Sequence, residues 1–145
     1  SGIERVHKEK HMKLGYTIVY VPDVAASLAF FEKAFGLPRK FLHESGTYGE
    51  LNTGETTLSF ASHELGDMNF PGGHVQADAS AQPLGFEIAL VTGDVALAHS
   101  KAIAAGAREW AAPVAKPWGQ VVSYVRCPDG ILVELCTPIG ACGTP

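Results

Sequence analysis

YTIVYVPDVAASLAFFEKAFG, residues 16–36, is echoed 71 positions later (Asp23 to Asp94) by EIALVTGDVALAHSKAIAAG, residues 87–106. Each stretch opens with a short apolar run rich in β-branched and aromatic residues, a strand signal that stops at Pro22 in one copy and Gly93 in the other. Asp23 and Asp94 then stand where a helix N-cap belongs, since a short carboxylate side chain can accept from an unpaired N–H of the first turn. Val24, Leu28, Phe31 and Phe35 recur at helical spacing, as do Val95, Ala98, Ala102 and Ala105. Gly36 and Gly106 follow, at the position where a left-handed residue closes a helix.

Working outward, three extended candidates follow the first helix, at about 40–44, 48–52 and 56–62, separated by Ser45-Gly46 and Thr53-Gly54. Three more follow the second, at about 108–111, 121–126 and 132–137, with Pro128-Asp129-Gly130 between the last two. The chain therefore reads as α+β, two βαβββ modules at about 14–62 and 84–138. Residues 61–83 carry Gly, Pro, Asp and Ser without periodicity and are expected to be a long loop, a candidate lid. Residues 1–11 do not fit the repeat and read as an expression leader outside a single domain of residues 12–145.

With 145 residues the chain is long enough to bury a core without disulfides. A net charge of −4 and the lack of any Lys/Arg cluster argue against nucleic-acid binding. No apolar run approaches bilayer length, so no membrane partner and a cytoplasmic location are expected. Cys127, Cys136 and Cys142 lack zinc-site spacing and are expected to be ordinary thiols. His43, His63, His74 and His99 show no mutual spacing of a ligand pair. Neither a Ser/His/Asp elbow nor a phosphate-binding glycine loop is visible.

VPDVAASLAFFEKAFGL (21–37) and KPWGQVVSYVRCPDGILVELCTP (116–138) resemble the two signature stretches of the vicinal oxygen chelate superfamily, which includes glyoxalases, bleomycin-resistance proteins and extradiol dioxygenases. The resemblance implies a cup-shaped partial barrel, a homodimer, and four inner positions on the first and last strands of each module. The repeat places those positions at Tyr16, Ser59, Glu87 and Glu134. In metal-dependent relatives they are His or Glu, so only Glu87 and Glu134 qualify as ligands if a divalent metal binds, unless His63 or His74 swings in. A phenol and a serine hydroxyl are weak donors, and no cofactor is expected.

The sequence-based expectation is a metal-independent binder that sequesters or carries a compact organic molecule, aromatic or amine-bearing. Tyr16, Ser59, Trp118 and Tyr124 are its candidate ligand-binding residues. Glu87 and Glu134 are the candidate acid/base or counter-charge pair, because two carboxyls in a partly dry cavity raise at least one pKa. The alternative is a lyase or isomerase acting on a small carbonyl or thiol adduct through the same two carboxylates. Cys127 stands where relatives carry Asp, with no physical account from sequence.

Overall fold

The structure, a computed structural model, describes residues 10–140, so most of the segment expected to be a leader, residues 1–9, and Cys142 lie outside the described residues. The first module runs β1 (Tyr16–Val21), α1 (Val24–Phe35), β2 (Arg39–Leu42), β3 (Tyr48–Leu51) and β4 (Thr57–Ser62). The second runs β5 (Ile88–Val91), α3 (Val95–Ala105), β6 (Arg108–Ala115), β7 (Val121–Arg126) and β8 (Leu132–Cys136). Each module forms its own four-stranded mixed sheet, ordered β1-β4-β3-β2 and β5-β8-β7-β6, with one parallel pair.

The ladders repeat as the sequence offset requires: Ile18 lies opposite Ser59 and Ala89 opposite Glu134. Both caps form as expected. Asp23 Oδ1 accepts from Ala26 N at 3.0 Å, and Asp94 Oδ1 from Leu97 N at 3.1 Å. Gly36 closes α1 at φ 68°. The sixth strand is longer than expected, reaching Ala115, and two irregularities bend it.

Alternation then sorts each strand into two faces. Val19 and Val21 of β1, Leu58 and Phe60 of β4, and Val133 and Leu135 of β8 turn toward the helices and build one continuous core. Phe31 and Phe60 pack there with ring centroids 4.9 Å apart and planes tilted by 56°, and each such buried side chain contributes about 2 kcal/mol. The modules meet through α1 against α3, whose small Ala98, Ala102 and Ala105 face permits close approach. Ser27 on α1 donates across the module boundary to buried Asp129 at 2.8 Å. The opposite faces of both sheets, which carry the candidate residues, thereby turn away from the core.

The segment 61–83 is not the structureless loop expected. Strand β4 extends to Ser62, α2 (His63–Asn69) follows directly, and a 3-10 turn spans Ala77–Ala79. Ser62 Oγ caps α2 by accepting from Leu65 N at 3.1 Å, and Gly66 lets the helix sit tight against Tyr20 and Phe70. A seven-residue polar helix is too short to show periodicity in sequence.

This linker is tied down at two points. His63 lies 2.8 Å from His74 through Nδ1 and 2.7 Å from Asp78 through Nε2. Arg126 donates to the carbonyls of Ala77, Ser80, Ala81 and Gly130. Close approach there requires Gly130, at φ 90°, whose added Cβ would overlap the Ala77 carbonyl. Gly130→Ala is expected to cost about 3 kcal/mol through clash plus backbone strain. Urea denaturation would read this as a lower midpoint with an unchanged slope, and an unchanged midpoint would refute the tight approach.

Candidate functional site

Glu134 is held on the outer face of β8 because its neighbours Val133 and Leu135 are committed to the core. Tyr124 lies directly opposite on β7, and its hydroxyl donates to Glu134 Oε1 at 2.7 Å. That bond, ahead of burial, holds the phenol proton far above its ordinary range. Glu87 precedes β5 and is exposed, on the same face as Ala89 and Val91. Partial desolvation lifts its carboxyl above the usual range, and the adjacent Glu134 adds to this by charge and by hydrogen bonding. Cys136 shares the face, but burial first and Glu134 second raise its thiol, so it is a poor nucleophile.

The first module carries a related but rearranged set. Tyr16 is 57% exposed and Ser59 is fully buried. Tyr48 Oη donates to Glu50 Oε2 at 2.7 Å, while Ser59 Oγ, 3.1 Å away, can donate to it in turn. Burial raises the Tyr48 hydroxyl. Glu50 lies across the ladder from Ser59 as Tyr124 lies across from Glu134. The carboxylate and hydroxyl positions are thus exchanged between modules. Glu50, buried and 3.6 Å from Lys40 Nζ, escaped sequence reasoning that considered only first and last strands. Its alternation with Tyr48 in YGEL was the available signal.

Tyr16 with Ser59, and Glu87 with Glu134, therefore occupy two separate sheet faces. Among the described residues no hydrogen bond or ion pair joins the two pairs. Trp118 sits on the turn before β7, half-exposed, its Nε1 donating to Gln120 Oε1 at 2.8 Å. His99 is a satisfied core histidine, bonded to Ser123 at 2.9 Å and Glu109 at 2.8 Å. His43 caps its own turn through Ser45. The contact between His63 and His74, eleven residues apart, was not legible from spacing.

The resemblance noted from sequence implies that metal-dependent members hold a divalent ion at the four inner positions. The donor set here does not fit one within a chain: two carboxylates are present, one already bonded to Tyr124, and the remaining positions offer a phenol and a buried hydroxyl. Among the described residues no group of three His, Cys, Asp or Glu side chains is arranged to hold an ion. No helix among them is long and apolar enough to cross a membrane.

A duplicated βαβββ chain with paired polar clusters on its open sheet faces defines the class of vicinal oxygen chelate folds. Residues 13–135 match the model of the Glyoxalase/Bleomycin resistance protein/Dioxygenase superfamily, and the chain belongs to that family. Among solved structures it is similar to a glyoxalase-related enzyme from Fulvimarina pelagi, with TM-score 0.75 and 22% identity over 92% of this chain and 96% of that one. A glyoxalase/bleomycin resistance protein/dioxygenase family enzyme from Burkholderia phytofirmans PsJN gives TM-score 0.72 and 21% identity over 87% and 98%. TioX from Micromonospora sp. ML1 gives 0.64 and 18% over 87% and 98%. At these identities the likeness is one of fold. No curated protein sequence matches significantly.

The coupling of Glu87 to Glu134 has a measurable consequence. In a carboxyl NMR titration Glu87 is expected above the ordinary Glu range, and Glu134→Gln is expected to bring it part of the way down, leaving the desolvation component. A Glu87 midpoint indifferent to that substitution would show that the two carboxyls do not interact.

Proposed function

We propose that the protein binds a compact, amine-bearing aromatic molecule without a metal, the Glu87–Glu134–Tyr124 cluster serving as counter-charge. The observation that carries this is a carboxylate pair on an open sheet face, of which Glu134 is fixed by a 2.7 Å phenol bond. A cation placed there relieves the repulsion between the carboxylates and gains charge-assisted hydrogen bonds. Exposed Tyr16, Ile18 and Phe41 on the first module's outer face supply apolar walls of the kind small-molecule sites use.

Because α1 packs on α3, the two outer faces of one chain do not close over each other. A second copy is the proposed remedy, one chain's first module lying over its partner's second to make a complete cup. Sedimentation equilibrium is expected to give a dimer, and a monomer that still binds ligand would overturn this arrangement.

Benzylamine is a suitable probe for the binding itself. It is expected to raise the melting temperature in a saturable way, since a ligand specific for the folded state stabilises it by mass action. Glu134→Gln and Glu87→Gln are each expected to weaken it at least tenfold, in line with loss of a charge-assisted bond. Affinity is also expected to rise with pH through the elevated Glu87 titration, because Glu87 must be ionised to attract the cation. Equal binding by wild type and both variants would refute the proposal.

A proton-transfer enzyme is the second reading, and the raised carboxyl of Glu87 beside an acceptor favours it. Turnover of a small carbonyl or thiol adduct, abolished in both Gln variants, would establish it in place of simple binding.

A further inference from the structure

We infer a separate anion site at the far end of the second sheet, where Arg108 and Arg126 meet beside the linker. The two arginines are direct partners across the β6–β7 ladder. Like charges in that arrangement repel unless something between them balances the field. Arg126 is only 7% exposed, and the four bonds it makes all go to neutral carbonyl oxygens. A guanidinium has five N–H donors, so one Nη1–H is left over. Among the described residues no carboxylate lies within ion-pairing distance of either arginine.

A cavity of about 400 Å³ opens at this point, lined by both arginines with Ser80, Gly106 and Gly130. Asp78 also borders it, bonded through Oδ1 to His63 Nε2 at 2.7 Å and making no ion pair with either arginine. Both guanidinium carbons sit near the Trp110 ring, at 5.5 and 5.9 Å, which draws the two cations toward one place and leaves them short of an anion. A buried cation without a counter-charge is costly, and an oxyanion that accepts from Arg108 and the spare Arg126 hydrogen removes that cost.

The ligand chemistry is thus a small phosphate or carboxylate group, free or carried on an organic molecule. The site shares no residue with the Glu87–Glu134 cluster, although Arg126 follows Tyr124 by two positions on β7. Arg126 also anchors the linker, so binding there braces residues 77–81 against the sheet.

The test is isothermal titration of the full chain with inorganic phosphate, phenyl phosphate and succinate, each at ionic strength matched with chloride. Saturable binding by at least one is expected, and the three arms distinguish a free anion, an aryl-linked phosphate and a carboxylate. Arg108→Gln, at an exposed position, is expected to weaken that binding at least tenfold while circular dichroism and melting stay those of wild type. Glu134→Gln is expected to leave it unchanged, which separates this site from amine binding. No saturable heat with any of the three, or equal affinity in Arg108→Gln, would overturn the inference.

Discussion

Packing of α1 against α3 is the constraint from which the rest of the architecture follows. Each βαβββ unit has one apolar sheet face to bury, and each covers it with its own helix. The helices then bury their remaining apolar surface on one another, and the Ser27–Asp129 bond fixes the join. Burial raises the Asp129 carboxyl, while Ser27 and the Ile131 N–H act against that shift by bonding its charged form. With the core placed between the sheets in this way, the second module's outer face stays open, while on the first α2 packs against Tyr20 and Ser59 and Glu50 are buried. The Glu87–Glu134 cluster sits partly solvated on the open face, and the buried Glu50 and Ser59 are satisfied by Tyr48.

Much of the fold was legible because its signals are local. The Asp caps, the closing glycines and the two stripes are each built from neighbours along one helix, and the repeat, offset by 71 on the first strands and 75 on the last, reproduces the observed strand register. What escaped depends on contacts far apart in sequence. Helix α2 is too short for periodicity, and the linker is organised by Arg126, whose carbonyl partners lie up to 49 positions away. Alternation placed Glu87 with Ala89 and Val91, but could not report that Ser59 lies across the ladder from Glu50, or that the four inner positions divide between two faces of one chain. Cys127 also becomes intelligible: it lies in the apolar core, where burial keeps its thiol protonated.

The exchange of roles between modules bears on chemistry. One module presents its carboxylate on the third strand and its hydroxyl on the fourth, and the other reverses them. A shared divalent ion needs converging strong donors, whereas this arrangement yields carboxylates already engaged with phenols. Phenol–carboxylate pairs of this kind hold negative charge in place and orient it. That charge is the basis of the proposed recognition of an organic cation, and the raised Glu87 would make such recognition sensitive to pH.

The most direct measurement is a two-dimensional NMR map of the isotopically labelled protein titrated with benzylamine. Resonances of Glu87, Tyr124 and Glu134 are expected to shift first and saturate together, with those of α1 and α3 at their interface unmoved. Shifts confined to the helix interface, or scattered without saturation, would contradict the assignment of the open carboxylate face as the ligand seat.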